Sequence, residues 1–320
     1  MTNSHMLWAI TVLKDAGYLI HASQPEIIQK TPWSMVCCIK TNQGPVYLKK
    51  VPPALSLESR IINILSNEFH ANVPSIIAVN QRQHCFLMKN AGKPLHDYFK
   101  QNFQPDILIQ AMQDYTRLQI STSDKIHRFL DTGVPDWRLK NLPKLYQDLI
   151  AQEMLLINDG LNNDELMQLR VLEPALFSIC EELSHYKIKE TFGHADFHDK
   201  NILIDLSTKK STIIDLGEVV ITHPFFSFLN CLHRAKLNFS LSESQYQQLQ
   251  HACFKPWLAL DTSDHLIEIL TLIQQCWPIH SVLGEFRLMN SVDKSAFQEL
   301  HRQGRLSNNL RHWINHMSSS

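Results

Sequence analysis

The sequence predicts an α+β fold in two parts, a small antiparallel sheet with one inserted helix and a larger, mostly helical region. Short apolar runs of strand type dominate as far as Asn90, whereas apolar residues recur at helical spacing over most of the chain after His96. Between these regions lies NAGKPL (90–95), whose glycine and proline are typical of a linker. We therefore predict a first domain over residues 1–91 and a second over residues 92–320.

The first domain is predicted to begin with a helix and to continue as paired strands. The helix covers Leu7 to Ala16 and is stopped by Gly17. Strand-type runs follow from Ile27, and MVCCIKT and GPVYLKKV among them are joined by a turn at 42–44. Residues 55–69 carry apolar side chains at helical spacing, and VPSIIAVN and CFLMKN are two further short strands.

The second domain is predicted to be helical apart from one segment of short strands. ILID (202–205) and TIID (212–215) are strand-type runs, and the polar LSTKKS between them has the length of a hairpin connection. Apolar residues at i, i+3 and i+4 predict helices near 97–120, 141–156, 163–185, 243–258, 263–282 and 295–317.

The hairpin brings together residues that are suited to phosphate chemistry. Antiparallel strands place the start of one level with the end of the other, so Asn201 should lie near Asp215, with Asp196 in the loop just before. One patch then holds a carboxylate that can take a proton and two oxygen ligands that can bind Mg²⁺. The spacing His-x-Asp-x4-Asn followed by Asp-x-Gly, which starts here at His194 and at Asp215, is that of the protein-kinase catalytic loop and its metal-binding aspartate. We therefore predict phosphoryl transfer.

The first domain offers a lysine for phosphate binding. Lys49 lies on a predicted strand and Glu58 on the following helix, and an ion pair between them would hold the ammonium in place. The neighbouring Lys50 points to the opposite face of the strand, and alternation alone does not decide which lysine faces inward. The usual glycine-rich phosphate loop is absent, and QKTPWSMV (29–36) stands in its place, with Ser34 as a candidate phosphate donor.

Composition excludes several functional classes. Of the 320 residues, 44% are hydrophobic and 19% are charged, which is typical of a folded globular protein. The net charge of −1 argues against a generally basic nucleic-acid binder. No uncharged apolar run reaches about 18 residues, and the N-terminus lacks the pattern of a signal peptide, so we expect no membrane span. Seven scattered cysteines without a C-x-x-C pair indicate buried free thiols and a cytoplasmic location.

Charge is distributed unevenly along the chain. Residues 1–93 carry a net charge of +5 and residues 94–320 a net charge of −6. A basic first part and an acidic second part would suit a polyphosphate held by one and a neutral or cationic acceptor held by the other. An accidental arrangement of solvated surface charges fits this observation equally well.

With these motifs in this order, the sequence resembles the aminoglycoside phosphotransferase and choline kinase-like family of small-molecule kinases, which has a protein kinase-like fold. The resemblance covers nearly the whole chain and rests on TPWSMV, YLKKVPPALSLE, FLMKNAGKPL, RLQIST with TGVPDWRLKNLP, GHADFHDKNILID and IIDLGEVVITHPFFSF. It implies an N-lobe at 1–91 that binds nucleotide, and a C-lobe at 92–320 that carries the catalytic loop, the metal site and the substrate pocket. It also favours Lys49 over Lys50.

The resemblance implies a role for individual residues. Asp196 would act as the base and His198 would lie beside the transferring phosphate, while Asn201 and Asp215 would bind Mg²⁺. Other residues would bind ATP, namely Ser34, Lys49, Glu58, Met88 and Asn90. Candidate contacts to the small-molecule hydroxyl acceptor are Asp199, Glu218, Trp137 and Trp277, although Trp137 fits a buried turn slightly better and Trp277 fits core packing better.

Ser227 departs from the family pattern, and three other functions compete with that of a small-molecule kinase. Many relatives carry an aspartate where Ser227 stands, so an anchor of the catalytic loop is expected to be weaker or replaced. A protein kinase is disfavoured because the segment after Asp215 is too short for an activation segment. The residues also leave open a non-catalytic kinase-like binding protein. A further alternative is a metal hydrolase built on His194, Asp196, His198 and Asp199, with His223 as a later ligand. The identity of the acceptor and the oligomeric state are not readable from the sequence.

Overall fold

The computed structural model describes residues 3–21, 25–293 and 302–318. Its first part is a five-stranded antiparallel sheet, in the spatial order β1-β2-β3-β5-β4. The strands are β1 (Glu26–Lys30), β2 (Met35–Thr41), β3 (Gly44–Lys50), β4 (Ile76–Asn80) and β5 (Cys85–Lys89). The antiparallel sheet that the sequence predicts is thereby confirmed, with the turn at 42–44 between β2 and β3.

Two helices pack against this sheet. Helix α1 (Asn3–Asp15) buries Ala9 and Leu13 in one apolar cluster with Leu87 of β5. Helix α2 (Glu58–Phe69) buries its apolar residues in the large central cluster, which also contains Phe86 of β5. Because successive strand residues point to opposite faces, neighbouring residues of β5 bind the sheet to these two separate clusters.

The second part is mostly helical, as predicted, and its helices surround two small sheets. The strand pair Thr191–His194 with Val219–Thr222 is antiparallel, and so is the sheet formed by Lys93–Pro94, Ile202–Ile204 and Ser211–Ile213. The helices lie at Leu95–Phe99, Pro105–Thr122, His127–Leu130, Leu142–Ile150, Glu153–Asp159, Asn163–Val171, Glu173–Ser184, Phe225–Asn238, Glu243–Phe254, Ser263–Asn290 and Arg305–Ser318.

Some predicted helices have different bounds in the structure. The segments at 97–120 and 163–185 are each divided, and Pro105 and Pro174 stand in the first turn of the second helix in each case. Proline fits the first turn because the missing N–H would have no partner there, and it interrupts the helix before it. Of the helix predicted at 295–317, residues 295–301 lie outside the described residues.

The long helix Ser263–Asn290 continues through Pro278 and ends later than predicted. By length and composition alone it could cross a membrane, although 56% of its most apolar stretch is buried inside the fold. Core helices of globular proteins meet the same criterion. In this structure its inner face packs into the central cluster through Ile269, Ile273 and Cys276.

Candidate active site

Lys49 of strand β3 contacts both Glu58 of the first part of the chain and Asp215 of the second part. Its ammonium lies 2.7 Å from a carboxylate oxygen of Glu58 on α2 and 2.7 Å from Oδ1 of Asp215 in the second part. Burial alone would lower the pKa of this lysine, but the two carboxylates raise it above its ordinary value. Lys49 is therefore charged, and the structure places it, rather than Lys50, in the cleft between the two parts.

His194 fixes the loop that carries Asp196. Its Nδ1 accepts the backbone N–H of Asp196 at 3.2 Å, and its Nε2 lies 2.9 Å from the carbonyl oxygen of Ile214. A carbonyl can only accept, so Nε2 carries the proton and the imidazole is neutral. Burial lowers the pKa of His194 in agreement with this. The histidine thus ties the Asp196 loop to the strand end that precedes Asp215.

Asn201 and Asp215 present oxygen atoms on one side of the cleft. The amide nitrogen of Asn201 donates to the backbone carbonyl of Asp196 at 2.8 Å, so its amide oxygen is the atom left for a cation. Asp215 has a left-handed backbone with φ of 62°, which is uncommon outside glycine, and one of its carboxylate oxygens bonds Lys49. Mg²⁺ is typically bound by one or two such ligands together with substrate phosphates, so this donor set fits the ion.

His198 lies between two carboxylates. Its Nε2 is 3.3 Å from Asp196, and its Nδ1 is 3.5 Å from Asp199. The backbone N–H of Lys200 also points at Nδ1 from 3.2 Å, a contact that suits the neutral ring. Two full negative charges outweigh one backbone dipole, and against the effect of burial they raise the pKa of His198 to about 9.

Asp196 is ionised in this arrangement. Burial alone would raise its pKa, but the hydrogen bond and charge of His198 lower it below the ordinary value. The carboxylate is 42% exposed and therefore still reachable by a bound molecule. A carboxylate held ionised at a cleft is suited to accept a hydrogen bond or a proton from a hydroxyl group.

Ser227, at the position where the resemblance leads to the expectation of an aspartate, anchors the catalytic loop. Its hydroxyl donates to the carbonyl of His194 at 3.0 Å and accepts from the Tyr115 hydroxyl at 3.2 Å. Tyr115 in turn accepts the backbone N–H of His194 at 2.8 Å. The anchor is therefore replaced by a neutral pair, and the aromatic member of that pair could not be found from the motif.

A cavity of about 650 Å³ lies between the sheet and the catalytic loop. Met88 and Asn90 line one end of it, beside Ala91, and Lys49, Asn201 and Asp215 line the other. This is the arrangement expected of a nucleotide site in which the nucleobase lies at the linker between the two parts and the phosphates lie at the predicted metal ligands. Ser34 does not line this cavity, so the structure does not support it as a nucleotide contact; its backbone N–H is held by the Thr31 hydroxyl in the turn at 31–34.

A second cavity of about 630 Å³ opens on the other side of Asp196. Trp277 and Glu218 line it, as does Ser34, while Asp196 and Asp215 face both cavities. Burial, with help from the nearby charges of Asp196 and Asp215, raises the pKa of Glu218 to about 8. The second cavity therefore brings Glu218 and Trp277, two of the predicted acceptor contacts, to the same space as Asp196.

Two predicted substrate contacts lie elsewhere. Trp137 is 5% exposed, and its ring packs edge-on against His280 in the core, as expected of a buried turn. Asp199 is buried and bonded by His96 at 2.5 Å, and it also accepts from the amide of Asn238 at 3.1 Å. We therefore do not retain either residue as a contact to the acceptor.

Sequence reasoning missed several residues at the second cavity. Arg234 lines both cavities, and Arg302 and Arg305 line the second beside Glu285. These arginines follow no motif, and only the fold brings them to the site. The described residues contain no group of three or more His, Cys, Asp or Glu placed to hold a metal ion, which leaves the metal-hydrolase hypothesis without support.

Fold and site together define a two-lobed, protein kinase-like enzyme of the class that phosphorylates small molecules. The chain belongs to the phosphotransferase enzyme family, whose family model matches residues 35–262. That membership confirms the resemblance seen in the sequence. No curated protein sequence matches the chain.

Solved structures share the fold at low sequence identity. An ethanolamine kinase from Plasmodium vivax is 13% identical with a TM-score of 0.59, covering 84% of this chain and 82% of its own. The macrolide 2'-phosphotransferase MphH from Brachybacterium faecium is 9% identical with a TM-score of 0.60, covering 95% and 98%. The aminoglycoside phosphotransferase APH(3'')-Id from Streptomyces rimosus, in complex with ADP and streptomycin, is 15% identical with a TM-score of 0.53, covering 86% and 98%.

Proposed function

We propose that this enzyme transfers the γ-phosphoryl group of ATP to a hydroxyl group of a small molecule, with Asp196 as the base. One observation carries the proposal: Asp196 stands at the junction of the two cavities, between the metal ligands and the space for an acceptor. An acceptor hydroxyl at this junction would face both the carboxylate and the end of a bound triphosphate. Phosphoryl transfer depends mainly on this kind of positioning.

The phosphates would be held from two sides. Lys49, fixed by Glu58, supplies a permanent positive charge at the floor of the nucleotide cavity. Asn201 and Asp215 would hold Mg²⁺, which when bound neutralises charge on the phosphates. Since Asp215 now pairs with Lys49, these two side chains would share their contacts between each other and the nucleotide.

Asp196 would accept the hydrogen bond of the acceptor hydroxyl and then its proton. His198 keeps the carboxylate ionised and oriented, and the amide of Asn201 donates to the same carboxylate oxygen, Oδ2, at 3.2 Å. The base is therefore held in position before the acceptor binds. General-base assistance of this kind typically contributes about 10²–10⁴-fold to the rate.

The test is an ATP-consumption screen across aminoglycosides, amino alcohols, sugars and nucleosides at millimolar Mg²⁺. We expect one class to accelerate ATP consumption, and Asp196→Asn to lower that rate by about 10²–10⁴-fold. Asp97→Asn is the matched control, because Asp97 is an exposed carboxylate paired only with the surface residue Lys100 among the described residues. Turnover that survives in Asp196→Asn would overturn the role of the base, and failure to bind Mg·ATP would overturn the kinase itself.

A further inference from the structure

The second cavity is rich in arginine on the side away from the nucleotide. Helices Phe225–Asn238, Ser263–Asn290 and Arg305–Ser318 build this side. Three guanidinium groups line the cavity, from Arg234, Arg302 and Arg305. The carboxylates on the same side are Glu218 and Glu285. The other lining carboxylates, Glu58, Asp196 and Asp215, are shared with the nucleotide cavity.

Glu285 cannot neutralise the arginines around it. Arg302 donates to it through Nε at 3.1 Å and through a second nitrogen, and Arg305 donates through Nη1 at 3.1 Å. Two cations thus share one carboxylate, and one positive charge is left over. Each guanidinium has five N–H donors in a planar fork, so donors also remain for an oxygen-rich group of a ligand.

The other charged groups at this side add no compensation. Glu218 is buried enough to raise its pKa to about 8, so at neutral pH it is mostly a neutral hydrogen-bond donor. No hydrogen bond or salt bridge joins Arg234 to another residue in the described part of the chain, although its charge acts on nearby Asp196. A cationic group placed at Arg302 and Arg305 would therefore meet uncompensated positive charge, whereas an anionic group there would be paired by it.

We propose that the acceptor carries an anionic group, a carboxylate or a phosphate, which Arg302 and Arg305 bind while its hydroxyl faces Asp196. This inference rests on the proposed function for the position of the hydroxyl, but not for the binding of the anion. Guanidinium forks match the planar geometry of carboxylate and phosphate oxygens, and charge-assisted bonds of this kind are the strong ones. The mixed polar and aromatic lining, with Trp277 beside His233, leaves room for an uncharged body between the two ends.

The first experiment measures binding by isothermal titration calorimetry to the full chain saturated with Mg·ADP, which blocks the nucleotide cavity. Glucuronate, glucose 6-phosphate, glucose and glucosamine are matched in their ring and differ in the charge of one group, and kanamycin serves as a polycation. We expect one or both anionic sugars to bind at least about 10-fold more tightly than glucosamine. Equal affinity across the ring series, no binding at all, or tighter binding of glucosamine or kanamycin would overturn the proposal.

The second experiment locates the anion. Arg305→Gln is the main variant because this side chain is 51% exposed, so its loss is not expected to unfold the protein. The substitution should weaken the binding of the anionic sugar by about 10-fold and leave the affinity for glucose unchanged. Lys236→Gln is the control, since Lys236 lies on the same helix as Arg234 but pairs with Glu243 outside the cavity. Unchanged anion affinity in Arg305→Gln, or an equal loss for anionic and neutral sugars, would contradict the assignment.

Together with the ATP-consumption screen, the two binding experiments separate this inference from the proposed function. A preference for anions without any ATP consumption would support the arginine site and refute the kinase. Consumption of ATP with a cationic acceptor, lost in Asp196→Asn, would support the kinase and refute the arginine site.

Discussion

Ser227→Ala tests whether the neutral pair Ser227 and Tyr115 anchors the catalytic loop. The substitution removes a donor to the His194 carbonyl and the acceptor of the Tyr115 hydroxyl, at a site where Ser227 is 1% exposed. The carbonyl keeps a second partner, the backbone N–H of Phe197 at 3.2 Å, so only the tyrosine hydroxyl loses its sole acceptor among the described residues. An unpaired buried polar group costs about 1–3 kcal/mol, and we expect a loss of about 2 kcal/mol in the free energy of unfolding.

Urea denaturation of four variants, compared with the wild type, measures this effect. They are Ser227→Ala, Tyr115→Phe, the double variant and Ser184→Ala, a control in which an exposed hydroxyl bonds only its own helix in the structure. Ser227 and Tyr115 share one bond, so the double variant should be less destabilised than the sum of the two single variants, by about 1 kcal/mol. The control should stay within about 0.5 kcal/mol of the wild type.

Catalysis gives a second measurement of the same anchor. His194 carries the loop of Asp196, so loosening its backbone should lower kcat more than it raises the KM for ATP. Ser227→Asp, which restores the residue of many relatives, should be more destabilising than Ser227→Ala, because a buried carboxylate would face the His194 carbonyl without a cation. Additive single variants, or a Ser227→Asp protein as stable as the wild type, would refute the anchoring role.

Three further predictions concern other parts of the site. Glu58→Gln removes one partner of the buried Lys49 and should lower the free energy of unfolding by about 3 kcal/mol. It should also weaken ATP binding, and an ATP affinity that calorimetry finds unchanged would contradict this. Burial raises the pKa of Glu218 from 4.5 to about 8, so the stability this group contributes is fully present below about pH 4.5 and is lost as pH rises through about 8. Glu218→Gln should therefore flatten the fall in stability over that range, as urea titrations at several pH values would show, and an unchanged slope would count against it. Trp33→Phe removes an indole bond of 2.9 Å to the Leu288 carbonyl and should raise the KM for the acceptor with little change for ATP, a split that steady-state kinetics would show or refute.

The parts of the fold that depend on local sequence could be predicted. The hairpin that joins Asn201 to Asp215 has its strands at Ile202–Ile204 and Ser211–Ile213, and the backbone N–H of Ile214 bonds the Asn201 carbonyl at 3.0 Å. The alternation of two short strands with a polar turn is enough to specify such a contact. The division of the helices at Pro105 and Pro174 also has a local cause, although continuous helical spacing on both sides of each proline obscured it.

Contacts between distant segments could not be predicted. Strand alternation alone does not distinguish Lys49 from Lys50, and the residues favour a buried Trp137 only slightly, since both choices depend on what packs opposite. Tyr115 reaches His194 from a helix 79 residues earlier in the chain. Arg302 reaches the second cavity from just before the helix Arg305–Ser318, which carries no catalytic motif. Each of these positions is set by tertiary packing, which a single sequence does not encode in any short window.

The charge of a domain and the charge of its cavity are separate quantities. The net −6 of residues 94–320 favours a neutral or cationic acceptor only if the acids face the cavity. Many of them, such as Asp97 and Asp148, are instead exposed and paired with a lysine on the same helix or beside it. At physiological ionic strength exposed charges are screened within about 8 Å, so they act little on a ligand inside the protein. The potential in the cavity is set by its own partly buried groups. Asp196, Asp215, Glu218 and Glu285 line the cavity, and the two arginines that share Glu285 are the local excess of positive charge on which the proposed anionic acceptor rests.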